Sequence, residues 1–390
     1  MKKIAIVCGS LCFGGVERAL INLLRLIDKD NYDLTLWLPD FDGGMENQIP
    51  DGISVRLWRE AETIDYKRLL FQALREGKIM RAAKSIWNRL LAAFYAKRKN
   101  WKASDRHALK SMVLGEKELY DTVVVFQSLS VEQTLFACNC IRGKHLLGWM
   151  HSDYTYTAEA RDRRAYKNAF QRMDAIICVS EAVKSTLQNL FPALKTKTSV
   201  IYNLQPIERI RKLADEPIAE RFEGVSILTV GRVTPVKGQD MIPGIAKKLL
   251  QMGQQFTWYV IGDGTLKPEL QAQIEQDGLQ QTVKLLGAKA NPYPYIKNCS
   301  LYVQPSYTEG FCIATFEAKI LNKHVVSTNF PAIHEQFSEG EAVFAEPTVE
   351  SLTAAIVKAL ETIDEPVRYA PVTEEYNARE LDKLYRLLDP

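Results

Sequence analysis

The chain has 390 residues, 46% of them hydrophobic and 25% charged, with a formal net charge of +3. That length exceeds one ordinary core and suits two domains of roughly 150–200 residues. The composition excludes intrinsic disorder, collagen-like sequence and a disulfide-stapled miniprotein, and no stretch approaches the ~18 uninterrupted apolar residues of a membrane span.

The first predicted element is the run Ile4–Val7 behind Lys2 and Lys3. Its apolar core of about five residues falls short of the 7–15 of a secretory leader, and a glycine turn follows, so it is read as a buried strand. A helix is expected over Val16–Ile27, then strands over Leu34–Leu38 and Ile53–Leu57. Next comes a long helical excursion, roughly 65–115. Within it, residues 67–110 carry thirteen Lys/Arg against Glu76 and Asp105, which leaves the rest of the chain net negative. A basic segment on an otherwise acidic protein points to a local anionic partner and not to nucleic acid. On a helical wheel, Ile79, Ala83, Ile86, Trp87, Leu90, Leu91 and Phe94 share one face, and Lys78, Arg81, Lys84 and Arg89 the other. A cationic amphipathic helix with an interfacial tryptophan suits a lipid headgroup layer, and Lys97, Arg98, Lys99 and Lys102 continue the charge.

Strands follow at Val123–Phe126, His145–Met150, Ala175–Val179 and Ser199–Tyr202, with helices at Val131–Cys138 and Glu181–Leu190. A polar linker is expected over 203–216. Beyond it, strands at Ser226–Val230, Thr257–Ile261, Val283–Leu286, Leu301–Gln304, His324–Ser327 and Ala342–Phe344 alternate with helices at Gly238–Gln251, Lys267–Gln276, Ala314–Leu321 and Val349–Thr362. Strands this apolar are buried on both faces, which requires parallel sheets covered by helices. The fold class is therefore α/β, with two doubly wound domains: residues 1–205, residues 206–372, and a last amphipathic helix, 373–390, packing back on the first. The seven cysteines (8, 12, 138, 140, 178, 299, 312) are odd in number and scattered through apolar runs, as reduced residues of a cytosolic protein would be.

In open parallel sheets ligands bind beyond the carboxyl ends of the strands. There the first loop reads Ser10-Leu-Cys-Phe-Gly14-Gly15-Val-Glu17-Arg18, with free N–H groups at a helix start that suit an anion. It lacks the spacing of a nicotinamide fingerprint. Arg232 and Lys237 lie five residues apart on the loop after Gly231, two fixed cations of the kind a diphosphate requires. Gly262-Asp263-Gly264 ends the next strand. Glu309 and Glu317 lie eight residues apart across a loop-to-helix junction, about 12 Å if helical. Such a pair does not make the ~5–5.5 Å acid–nucleophile partnership of a retaining glycosidase, and it suits gripping two parts of one extended ligand.

The series Gly14-Gly15-Val-Glu17-Arg18, Gly231-Arg232 with Lys237-Gly238, Gly262-Asp263-Gly264 and Glu309-Gly310-Phe311 with Glu317-Ala318 resembles glycosyltransferase family 4 over nearly the whole chain. The resemblance implies the GT-B fold, two Rossmann-like domains facing across a cleft, with the acceptor on the first and a nucleotide-sugar donor on the second. It implies that Arg232 and Lys237 bind the donor diphosphate and stabilise the departing phosphate. Glu309 would hold sugar hydroxyls, Glu317 the ribose hydroxyls, and Gly15 would offer its N–H to the diphosphate. His151 matches the family's active-site histidine, and Gly14, Gly231, Gly287, Gly310 and Phe311 would border the donor. The chain departs from the family pattern at Asn329-Phe330-Pro331, where a glycine pair is usual, and at Asn203-Leu-Gln.

The expected function is metal-independent, retaining transfer of a hexose or N-acetylhexosamine from a nucleotide sugar, UDP-linked by family habit. The acceptor would be a glycan, polyprenyl-diphosphate-linked, in surface polysaccharide or glycoconjugate synthesis. Lys84, Arg89, Lys97, Arg98, Lys99 and Lys102 would dock the enzyme peripherally on the anionic cytoplasmic face of the membrane. No cofactor is expected. Two alternatives stay open: a nucleotide-sugar epimerase on the same fold, and a non-catalytic, membrane-peripheral nucleotide-sugar binder.

Overall fold

The computed structural model describes residues 1–58, 79–98, 103, 107, 118–128, 131–152, 169–367 and 369–389. Among them, apolar runs form two all-parallel sheets. The first contains β1 (Lys2–Val7), β2 (Tyr32–Leu38), β3 (Ser54–Leu57), β4 (Leu119–Val125), β5 (Arg142–Met150), β6 (Ala175–Cys178) and β7 (Thr198–Val200), in the order β3-β2-β1-β4-β5-β6-β7. The second contains β8 (Ser226–Val230), β9 (Thr257–Ile261), β10 (Val283–Gly287), β11 (Leu301–Gln304), β12 (His324–Thr328) and β13 (Val343–Ala345), in the order β10-β9-β8-β11-β12-β13. Central strands are buried on both faces, as Ile4 to Val7 illustrate, because helices cover each sheet on both sides. The helix Gly15–Leu26 leaves its first turn accessible and buries every residue from Ala19 to Leu24, Asn22 included, so its middle is covered on all sides. All seven cysteines are free, Cys138 and Cys140 included.

The expected polar linker is different in the structure. Residues Ile207–Leu213 form a helix that buries Ile207 and Ile210 and leaves its cations outside. Two apolar residues three apart are enough for one helical turn once a neighbouring surface buries them, a signal too short to stand out in sequence. The predicted helix from Gly238 is also split into a 3₁₀ turn, Gln239–Met241, and the helix Ile242–Gln251 with Pro243 in its first turn. The helix Tyr293–Asn298 has no counterpart in the sequence reading.

The excursion contributes a helix over Ile79–Lys97. Asn88 is buried and its side-chain oxygen lies 2.8 Å from Nδ1 of His107, whose ring stacks on Tyr95. The stripe Trp87, Leu90 and Phe94 faces outward, 63%, 60% and 45% exposed. Arg89, Lys97 and Arg98 are exposed beside it, with the Arg98 guanidinium 4.4 Å from the Phe94 ring centroid. Lys99 and Lys102 lie outside the described residues, and of Lys84 only the helical backbone is described.

The last helix, Glu374–Leu388, lies against the first domain. Tyr385 stacks on Tyr32 at 5.4 Å, and the buried Glu380 accepts the Tyr202 N–H at 3.0 Å. Aromatic contacts continue between Tyr202 and Phe311 and between Phe316 and Tyr376, so one hydrophobic core runs through the junction of the two domains. A polar latch sits beside it. Glu335, in a 3₁₀ turn of the second domain, accepts the backbone N–H of Glu181 at 2.7 Å and of Ala182 at 3.0 Å, and the Tyr202 hydroxyl at 3.0 Å. Those two amides open the first-domain helix Glu181–Leu190, and Ser180 caps the third by accepting from Val183 at 3.1 Å. The unsatisfied donors of one domain's helix are thus taken by a carboxylate of the other, where charge and helix dipole agree in sign.

Removing that carboxylate should loosen the junction by about 1–2 kcal/mol, the size of a lost cap. Glu335→Ala should speed hydrogen exchange at the 181 and 182 amides and enlarge the radius of gyration in solution scattering, with Glu335→Gln intermediate. Unchanged exchange and scattering in both variants would show that Glu335 does not hold the junction.

Candidate functional site

Each sheet has a point where its crossovers diverge, between β1 and β4 and between β8 and β11. Loops beyond these strand ends are free of a covering crossover, which is where doubly wound folds bind ligands. The two points face one another across a cleft of about 650 Å³ lined by both domains.

On the first-domain side, Gly14 is the extended N-cap of the helix Gly15–Leu26 and supplies no side-chain cap. The Glu17 carboxylate instead curls over this helix start and accepts from its own backbone N–H. A Cβ on Gly14 would lie 2.4 Å from a Glu17 carboxylate oxygen and 3.8 Å from Arg232 Nε, so both domains converge here. Burial pushes the Glu17 carboxyl up, with Arg232 among the groups that pull it back. Arg232 itself is exposed and has no ion-pair partner among the described residues.

On the facing side, Gly231 ends the β8 strand and the loop turns through Pro235–Lys237 to Gly238 at φ 66°. A Cβ on Gly238 would stand 2.0 Å from the Pro305 carbonyl oxygen, so only glycine lets the β8 loop press on the β11 loop. That contact delivers Lys237 to Glu309, with Nζ 2.6 Å from Oε1 in a largely buried ion pair. Ser306 donates to the same oxygen at 2.7 Å. Gly310 meets the first domain directly. A Cβ there would be 2.1 Å from the His151 carbonyl oxygen, and Ser180 donates to the Gly310 carbonyl at 2.7 Å. Phe311 is buried in the cleft wall, and Cys312 caps the helix Ile313–Ile320 at φ 65°. A left-handed non-glycine residue costs about 1–3 kcal/mol. It is held here by Gln336, whose amide donates to the carbonyls of Phe311 and Cys312.

Glu317 points inward from that helix, only 4% exposed, and accepts the Tyr293 hydroxyl at 3.0 Å. Burial pushes its carboxyl up to about 7, against the pull of Arg18 and Tyr293. Glu309 and Glu317 are thus held by separate partners. The His151 ring lies against Phe126 at 4.4 Å and stacks on Trp149 at 5.8 Å. Burial pushes it down to about 3, and its Nε2 has no hydrogen-bond partner among the described residues. It enters the site as a neutral ring and a backbone carbonyl. Gly287 ends β10 at φ 70°, and the following Ala288 and Lys289 line the cleft.

Sequence reasoning assigned no role to Arg18, Ser306 or Tyr293. Arg18 sits one turn into the first helix and bridges the domains, donating to Gln48 at 3.0 Å and to the Ala290 carbonyl at 3.3 Å. Its place beside Gly14-Gly15 was the available signal. Tyr293 carries none, since its partner Glu317 lies 24 residues away in another element, whereas Ser306 meets Gln304 and Glu309 within its own loop. Among the described residues no three His, Cys, Asp or Glu gather as metal ligands.

Residues 214–374 match the family model of glycosyl transferases group 1. An uncharacterized glycosyltransferase of Methanocaldococcus jannaschii is 31% identical over 170 residues, 42% of either chain. The N-acetylgalactosamine-N,N'-diacetylbacillosaminyl-diphospho-undecaprenol 4-alpha-N-acetylgalactosaminyltransferase of Campylobacter jejuni is 28% identical over 173 residues, 44% of this chain and 46% of that one. The match spans less than half the length of these relatives. Anabaena HepE, solved in complex with UDP and glucose, superposes with a TM-score of 0.63 at 19% identity, covering 100% of this chain and 96% of its own. Residues 214–374 thus resemble the group 1 glycosyl transferases, and the two parallel-sheet domains form a GT-B fold.

Proposed function

We propose that the protein is a retaining glycosyltransferase that moves a hexose or N-acetylhexosamine from a UDP-sugar to a lipid-linked glycan. The observation that carries this reading is the convergence of Arg232, the Lys237–Glu309 pair and the open helix start at Gly15 on one cleft. A diphosphate placed there meets two cations and the start of one helix, a preorganised field for the charge that grows on the leaving phosphate. These cations stand in the place a divalent metal takes in other transferases, and no cofactor is invoked. In the step itself the sugar C1–phosphate oxygen bond breaks and a C1–acceptor oxygen bond forms on the same face. The acceptor's hydroxyl proton leaves with the departing phosphate oxygen. Glu309 holds sugar hydroxyls, Glu317 takes the ribose hydroxyls through the oxygen that Tyr293 leaves open, and neutral His151 packs against the sugar. The UDP and glucose in HepE and the diphospho-undecaprenol in the Campylobacter relative's name support the donor and acceptor classes.

The acceptor side extends to the Ile79–Lys97 helix. Its exposed Trp87, Leu90 and Phe94, flanked by Arg89, Lys97 and Arg98, suit the headgroup layer of an anionic cytoplasmic leaflet, where each cation contributes about 1 kcal/mol, screened beyond about 8–10 Å. No described helix is long and apolar enough to cross a membrane.

A panel of nucleotide sugars, read by released nucleotide with a lipid extract as acceptor, tests the reaction. Transfer with retained anomeric configuration, within about twofold after chelation, is the expected result. Isomerised donor or binding without turnover would replace it with an epimerase or a binding protein. Glu309→Gln should lower kcat strongly and barely change nucleotide affinity, whereas Glu317→Gln should weaken nucleotide binding by ~1–3 kcal/mol. The ionised Glu317 is the better acceptor for ribose hydroxyls. Wild-type affinity should therefore fall as pH drops through about 7, and the Glu317→Gln variant should lose that dependence.

Liposome co-sedimentation tests the membrane surface. Binding should rise with anionic lipid, fall with salt, and weaken when Trp87, Leu90 and Phe94 become Ser or when Lys97, Arg98, Lys99 and Lys102 do. Indifference to all four changes leaves a soluble-acceptor enzyme.

A further inference from the structure

Behind Glu309 lies a row of buried polar side chains for which the reaction outlined above has no use. Tyr302, Gln304 and Ser306 lie on β11 and just past its end, each at most 1% exposed. Their spacing of two puts them on one face of the strand. The Tyr302 hydroxyl is 2.8 Å from Gln304 Oε1, Gln304 Nε2 is 2.7 Å from Ser306 Oγ, and Ser306 Oγ is 2.7 Å from Glu309 Oε1. The Val230 carbonyl, 3.3 Å from the Tyr302 hydroxyl, is a second acceptor at the far end. Thr328 ties down the backbone by donating to the Ser306 carbonyl.

The direction of this row is set from its last member. A carboxylate only accepts, so the single Ser306 proton lies towards Glu309. Ser306 must then receive a proton from its other neighbour, which requires Gln304 to turn its amide nitrogen to Ser306 and its oxygen to Tyr302. The Tyr302 proton consequently goes to Gln304. Every donor points towards Glu309, and the chain of bonds polarises in one sense. With Lys237 at 2.6 Å, Oε1 receives two donors, whereas Oε2 has no partner among the described residues.

We infer that Tyr302, Gln304 and Ser306 are positioning residues that lock Glu309 with Oε1 spent on the protein and Oε2 alone offered to the sugar. The inference rests on the sugar-transfer reading of the cleft and deepens it. Without the relay, Lys237 alone holds the carboxylate, which can rotate and present either oxygen. The reacting sugar is then gripped in more than one pose, and the loss falls on turnover more than on donor binding.

The test uses the full chain, with UDP as the binding probe and UDP-glucose, UDP-galactose, UDP-N-acetylglucosamine and UDP-N-acetylgalactosamine as donors. Ser306→Ala and Gln304→Leu should lower kcat roughly 10- to 100-fold, the range for a hydrogen bond to a charged group. Donor KM and UDP affinity should stay within about threefold. Gln304→Glu keeps the shape and adds a titratable group that faces Ser306, the Tyr302 hydroxyl, and beyond them Glu309 and Lys237. Protonated, it donates to Ser306 as the amide does. Ionised, it competes with Glu309 for the Ser306 proton. Its kcat should therefore approach wild type near pH 5.5 and fall relative to wild type as pH rises, a profile that packing alone does not produce. Should Gln304→Leu fail to fold, this profile and Ser306→Ala decide. Wild-type kcat in Ser306→Ala, or a pH-independent ratio to wild type in Gln304→Glu, overturns the relay and leaves sugar transfer standing. A wild-type protein inert towards all four donors overturns both.

Discussion

The carboxylate of Glu335 rests on the first two amides of a helix in the other domain, and the face-to-face setting of the two sheets depends on contacts of this kind. A helix start turned towards a domain boundary leaves donors that water must solvate or a partner must satisfy. Here the partner is a carboxylate, which also accepts the Tyr202 hydroxyl. The same boundary is sealed by Ser180 on the Gly310 carbonyl and by Gly310 against the His151 carbonyl. Because these contacts lie within a few residues of Glu309, domain juxtaposition and site geometry are set together. Whatever opens the boundary also moves the loop that carries Glu309.

Burial acts on the titratable groups of the cleft in opposite senses. It raises Glu317 and Glu17 and lowers His151, so acids are drawn towards their protonated forms and the imidazole is kept neutral. The cations Arg18 and Arg232 partly counter the effect on the acids. The left-handed Cys312 and the Nε2 of His151, which has no hydrogen-bond partner among the described residues, are local departures from ordinary folding preferences. Both lie in the cleft wall, where such departures concentrate at functional sites.

The excursion helix shows how far a face can be legible and its orientation not. The periodic pattern of Ile79–Lys97 separates apolar from basic residues, yet either face of such a helix can turn to the protein. In the structure Asn88 is buried against His107 of the same excursion, and Trp87, Leu90 and Phe94 lie outside.

By itself the sequence determined the architecture and the neighbourhood of the site. Strands buried on both faces are written as apolar runs, and the helices between them carry a one-sided stripe. Such runs, alternating with helices, build parallel sheets covered on both faces, which places Gly14, Arg232, Lys237 and Glu309 in loops beyond strand ends and Glu317 in the helix that follows, before any coordinate is known. It did not determine the short helices Ile207–Leu213 and Tyr293–Asn298, whose few apolar contacts count only when a neighbour buries them. Nor did it determine which polar groups meet. Glu335 and the Glu181 amide lie 154 residues apart, and Lys237 and Glu309 lie 72 apart. Periodicity encodes which side of an element is apolar. The partner of a charged or hydrogen-bonding group is chosen by the packing of distant segments, and only the tertiary structure decided it.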